Sequence, residues 1–139
     1  MQSKFDVLFC DWSGCISNDL QTVYAAHLMT VDSFGIKKII PLEAWQRLFV
    51  TDLKTFYEQF RVFAPMDEID ERYPQCYETA INLGIKPTVY PDAPAALEKI
   101  SREVPIIVVS AQMQHALERE AEDYSVKKIC LFVIRFPHQ

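Results

Sequence analysis

Asp11 stands at the end of an apolar run, Phe5-Asp6-Val7-Leu8-Phe9-Cys10, and is followed at once by Trp12-Ser13-Gly14-Cys15-Ile16-Ser17-Asn18-Asp19. The run reads as a buried strand; the Ser-Gly pair and the Ser-Asn-Asp cluster read as loop. A carboxylate at the carboxyl end of a buried strand sits where open α/β sheets bind ligands. The N–H groups of the turn behind it can cradle an anion. A carboxylate so placed can attack an electrophilic phosphorus or carbon and form an aspartyl intermediate. The plainer alternative is an Asp that stops a strand and starts a turn.

The elements around this residue set its context. After the first loop, Asp19 can cap a helix running to about residue 34, with Leu20, Tyr24, His27, Leu28, Val31 and Phe34 near a 3.6-residue period. Gly35 supplies its stop. A second short helix follows over 41–49, with Pro41 in its first turn. Thr51 or Asp52 caps a third, 53–61, whose buried face is Leu53, Phe56, Tyr57 and Phe60. A fourth is expected over 67–84, broken or kinked near Tyr73 by Pro74. No strand alternation occurs from about 19 to 84, which points to a helical insertion between two strands of one sheet, or to a helical layer of a single fold. From Pro91 the pattern returns to helix 93–102, strand 104–109, helix 111–124 and strand 126–135. Strands separated by helices imply parallel pairing with right-handed crossovers.

Bulk properties narrow the function classes. The chain has 139 residues, half of them hydrophobic and 24% charged, as in ordinary globular domains. A net charge of −5 without a basic cluster argues against a nucleic-acid partner. No run approaches the roughly 20 apolar residues needed to span a bilayer, and the N-terminus lacks a signal-peptide pattern. Cys10, Cys15, Cys76 and Cys130 show neither metal-ligand spacing nor a disulfide framework. The cytoplasm is the expected compartment.

The stretch around Asp11 resembles motif I of the haloacid dehalogenase-like (HAD) hydrolases, a hydrophobic strand followed by Asp-x-Asp-Gly-Thr-Leu/Ile. Asp11 matches the nucleophile, Gly14 the glycine and Ile16 the aliphatic residue, while Ser13 replaces the second Asp and Cys15 the Thr. Val104-Pro105-Ile106-Ile107-Val108-Val109-Ser110 resembles motif II, whose terminal hydroxyl binds the transferring phosphoryl group. Tyr90-Pro91-Asp92-Ala93-Pro94 looks like the family's entry into the helix before motif II. The resemblance implies an α/β fold: a Rossmann-like parallel sheet, its three strands in the order 1-2-3, with a helical C1-type cap inserted after the first strand. Residues 1–17 and 86–139 would form the core domain and 18–85 the cap.

For the site, the resemblance implies Asp11 as nucleophile and Mg²⁺ held by Asp11 and the Ser13 carbonyl. The N–H groups of Trp12 and Ser13, together with Ser110, would hold phosphoryl oxygens, and Gln112 would border the pocket. Full-length members continue with motif III, a Lys, and motif IV, acidic residues that complete the Mg²⁺ site; neither is found in these 139 residues. Lys127 and Lys128 fall on the wrong end of the third strand for the first role. Ser13 has no group titrating near neutral pH, so it cannot serve as the acid and base of the phosphatases. Phosphonoacetaldehyde hydrolases read Asp-Trp-Ala-Gly-Thr, close to Asp-Trp-Ser-Gly-Cys here, and use a cap lysine; Lys37, Lys38 and Lys54 are the candidates. His27 reads as a structural histidine and His115 as solvent-facing, while Trp12 can wall a pocket or pack in a core.

Two functions of different class follow. One is hydrolysis of a small phosphorylated or otherwise anionic metabolite, by phosphoryl transfer or C–P cleavage. The other is a non-catalytic remnant or fragment serving binding or assembly. The apolar edge of the first strand, residues 5–10, is expected to recruit a second copy of the chain, a complementing chain, or a C-terminal segment.

Overall fold

The computed structural model describes residues 4–49 and 51–135, the last five of these by backbone alone. Two compact units are present, Met1–Leu20 with Pro87–Gln139, and Gln21–Lys86.

The first unit holds β1 (Leu8–Asp11), β2 (Ser17–Asn18), β3 (Thr88–Val89), α5 (Ala93–Ser101), β4 (Ile106–Ser110), α6 (Gln114–Asp123) and β5 (Cys130–Arg135). Its sheet has the order β1-β4-β5, all parallel, with Leu8 beside Ile106 and Asp11 beside Val109. This is the α/β parallel sheet and the strand order expected. Successive strands added in one direction by right-handed crossovers put α5 and α6 on the same face. Leu97 of α5 and Leu117 and Ala121 of α6 accordingly share one core with Trp12, Ile106 and Val108, against which Leu8 and Cys10 pack. The opposite face carries Phe9, 63% exposed, and the half-buried Ile107 and Val109.

Three sequence expectations need correction here. The first strand begins at Leu8 rather than Phe5, and it is not buried on both sides; Phe5 is 73% exposed. The third strand begins at Cys130, not Val126. Ser125 takes a left-handed φ of 58° and the Val126 N–H returns to the Ala121 carbonyl, so a helix-ending turn occupies 124–129. Val126 is fully buried all the same, which is why its apolar pattern resembled a strand. Finally, β2 and β3 were not foreseen. They pair antiparallel, Ser17 with Val89 and Asn18 with Thr88, where the chain leaves for and returns from the helical segment. Two residues each are too few to show alternation.

The second unit consists of α1 (Leu20–Ser33), which starts one residue before it, α2 (Leu42–Leu48), α3 (Leu53–Gln59) and α4 (Met66–Asn82). No strand interrupts it among the described residues. Asp52 caps α3 by accepting from the Thr55 N–H at 2.9 Å. Its core is aromatic: Trp45, Phe56, Tyr57, Phe60 and Tyr77 are all buried. α4 continues as one helix through Pro74, so of the expected break or kink the break does not occur. Burial of Ile69, Tyr77 and Ala80 on one side of α4 outweighs the single backbone bond that proline removes. Among the described residues no helix is long and apolar enough to cross a membrane.

Candidate active site

Asp11 and Ser110 end neighbouring parallel strands, and the register that sets Asp11 beside Val109 brings the two side by side at the carboxyl edge of the sheet. With Phe9, Cys10, Val109 and Ala111 they line an open depression of about 470 Å³. Asp11 is exposed. Its Oδ1 accepts from the Trp12 backbone N–H at 2.8 Å, and the Cys15 thiol lies 4.0 Å from Oδ2. The backbone hydrogen bond on Oδ1 fixes the orientation of the carboxylate.

The turn behind Asp11 is wound tightly on itself. Gly14 has φ +76°, a left-handed conformation that side chains disfavour. The Trp12 carbonyl accepts from the N–H groups of Cys15, Ile16 and Ser17 at 3.2, 2.9 and 3.0 Å, and the Gly14 N–H reaches the Ser17 carbonyl at 2.8 Å. Most of the anion-cradling donors expected of this turn are therefore committed to the turn itself. Of the two expected phosphoryl donors, the Trp12 N–H serves Asp11, whereas the Ser13 N–H is not among these bonds. The Ser110 hydroxyl is buried and accepts from the Gln112 N–H at 3.0 Å, which leaves its own proton for donation.

Two of the expected binding side chains point elsewhere. The Trp12 ring is fully buried, stacked on Tyr124 at 5.7 Å, and donates its Nε1–H to Glu120 Oε2 at 2.7 Å. Gln112 is also buried and directs Nε2 at Glu120 Oε1, 3.4 Å away. Neither side chain lines the depression. What sequence reasoning missed is this carboxylate: Glu120 is 2% exposed, on a helix face shared with Ala116, Leu117, Ala121 and Tyr124. A charged residue on an apolar stripe at 3–4-residue spacing was the available signal.

Asp19, expected as a helix cap, is 3% exposed, and its Oδ2 has no hydrogen-bond partner among the described residues. Burial pushes its carboxyl up to about 6; the Ser13 hydroxyl opposes this, the Glu120 charge adds to it and the Gly14 N–H opposes it again.

The remaining candidates are not among the residues that line this depression. His27 is buried, with Nδ1 2.8 Å from the Tyr57 hydroxyl and the rings of Trp45, Phe49, Phe56 and Tyr73 around it, so its role is packing. His115 is exposed, as are Lys37, Lys38 and Lys54; Lys54 pairs with Glu58 at 3.8 Å and Lys38 lies over the Phe60 ring. Among the described residues no group of three His, Cys, Asp or Glu side chains is arranged to hold a metal ion. Asp11 and the Ser13 carbonyl supply few of the six oxygens that Mg²⁺ requires. That donor set fits a cation that keeps its waters and arrives on a phosphate; it does not fit one held by protein groups alone.

No protein-family model matches the sequence, and neither does any curated protein. Solved structures do. A haloacid dehalogenase-like family hydrolase from Streptococcus pneumoniae superposes with a TM-score of 0.69 at 14% identity, over 96% of this chain and 62% of that one. CbbY from Rhodobacter sphaeroides, determined in complex with phosphate, gives 0.70 at 15% identity over 92% and 61%. A predicted phosphoglycolate phosphatase from Haemophilus somnus gives 0.71 at 11% identity over 99% and 65%. This chain thus spans less than two thirds of the length of each. Its fold is that of the HAD-like hydrolases, a Rossmann-like parallel sheet with a helical cap segment inserted after the first strand.

Proposed function

We propose that this chain carries the nucleophile half of a phosphoryl-transfer hydrolase acting on a small phosphorylated metabolite in the cytoplasm. The observation that supports the reading best is the juxtaposition of an exposed carboxylate, Asp11, with the hydroxyl of Ser110 across adjacent parallel strands. An Asp11 oxygen attacks phosphorus as the P–O bond to the leaving group breaks; the departing oxygen takes its proton from solvent, and water then hydrolyses the aspartyl phosphate to free phosphate and the Asp11 carboxylate. The Ser110 hydroxyl and the Ser13 N–H donate to phosphoryl oxygens. Asp11 and the Ser13 carbonyl would be the protein ligands for Mg²⁺, which would neutralise phosphoryl charge when bound. C–P cleavage is the weaker version, since Lys37, Lys38 and Lys54 are ordinary exposed lysines.

A binding or assembly role without turnover is the second reading. It is favoured by Ser13, which has no group titrating near neutral pH to protonate the leaving group, and by the absence of any lysine or arginine among the described residues lining the depression. Removing one oriented electrostatic group typically costs about 10²–10³-fold, so this chain alone should turn over slowly. A panel of phosphomonoesters assayed with and without Mg²⁺ tests the choice. Slow turnover that vanishes in Asp11→Asn supports the hydrolase; turnover indifferent to Asp11→Asn, or none on any ester, supports the second reading.

A further inference from the structure

We propose that Glu120 is a positioning residue, one buried carboxylate that sets the loop after β1 against the loop after β4; this rests on reading Asp11 and Ser110 as the phosphoryl site. Its Oε2 accepts from the Trp12 indole at 2.7 Å and from the Ser17 hydroxyl at 3.2 Å, both on the first loop. Its Oε1 accepts from the Gln112 amide at 3.4 Å, on the second. Each contact is one step from a reacting group. Trp12 follows Asp11 and gives it a backbone hydrogen bond, and the Gln112 N–H is bonded to the Ser110 hydroxyl. Tyr124, one turn along α6, reinforces the first loop through the Ser17 hydroxyl at 2.7 Å and by stacking on Trp12.

The chemistry suits this task better than it suits stability. A leucine at position 120 would complete the apolar stripe of α6, and burying a carboxylate instead is rarely a net gain over a hydrophobic isostere. What the carboxylate adds is direction: an acceptor-only group with two oxygens, each aimed at a different loop, in a site where charge-assisted bonds are strong. A shift of about 1 Å between nucleophile and phosphoryl ligand costs on the order of 10²-fold in rate. Fixing the two loops to one point removes that freedom.

Glu120→Gln tests the proposal, because an amide has one accepting oxygen and cannot serve both loops. The full chain is followed by nuclear magnetic resonance, with Trp45→Phe used to assign the Trp12 indole proton. Expected are shifts of that proton or of the Gln112 side-chain amide, with amide shifts in both loops, 13–17 and 111–113, and beryllium fluoride binding about tenfold weaker. Combining Glu120→Gln with Gln112→Glu reverses donor and acceptor across the pair, and should restore both loops and the binding. Glu118→Gln, exposed on the same helix, is the control. The proposal is overturned if Glu120→Gln lowers stability while loop shifts and ligand affinity stay as in the native chain. It is equally overturned if the exchanged pair restores nothing or does not fold. If the native chain binds no beryllium fluoride, the phosphoryl reading fails, and the loop shifts still judge the role of Glu120.

Discussion

Asp19 is a carboxylate in the wrong place for stability at neutral pH. Its pKa rises from 3.8 to about 6 on folding, so between those values the native state binds more protons than the unfolded chain, and stability falls as pH rises. The stabilising contribution is full below about pH 4 and lost above about pH 6, a change of about 3 kcal/mol at about 1.4 kcal/mol per pH unit. Asp19→Asn removes this titration. Urea unfolding of both proteins should give similar stability near pH 4 and a more stable variant at pH 7; a variant weaker at pH 7 would show that the ionised carboxylate is wanted. The placement of Asp11 and Ser110 at the ends of adjacent strands could be read from sequence, because an apolar run followed by a turn marks where a strand stops. The directions of the Trp12 and Gln112 side chains could not, since nearness in sequence to a strand end does not say which way a side chain points. Glu120 was missed because an acidic residue in a helix is ordinarily solvated.

At the scale of elements, the 3.6-residue period located every helix to within a few residues, because each has one face to bury. The failures were local chemistry that periodicity does not encode: the left-handed Ser125 that delays β5, and the two-residue pair of β2 and β3. Pro74 sits inside α4 without breaking it, held there by packing. Its cost should still be measurable, since the Asp70 carbonyl is denied its helical partner. Pro74→Ala should raise stability by about 1–3 kcal/mol with the helix otherwise unchanged. A fall in the urea midpoint would mean that the ring itself packs usefully.

Over the whole molecule, the sheet has a covered face and an open one. β1 pairs with β4 along one edge, and among the described residues no strand pairs along the other. Phe9 on the open face is largely exposed. Unpaired backbone next to exposed aromatic surface favours association, and we expect self-association through this edge. Light scattering at micromolar concentration should show a dimer whose 8–11 amides exchange slowly, and Phe9→Lys should return it to monomer; a monomer with slow exchange there would contradict this. Covalent trapping decides whether Asp11 is the group that meets phosphorus. The chain soaked with beryllium fluoride and Mg²⁺ should show, by crystallography, one adduct on the Asp11 carboxylate, absent from Asp11→Asn. An adduct on any other group, or one that persists in Asp11→Asn, would mean that Asp11 is not the nucleophile.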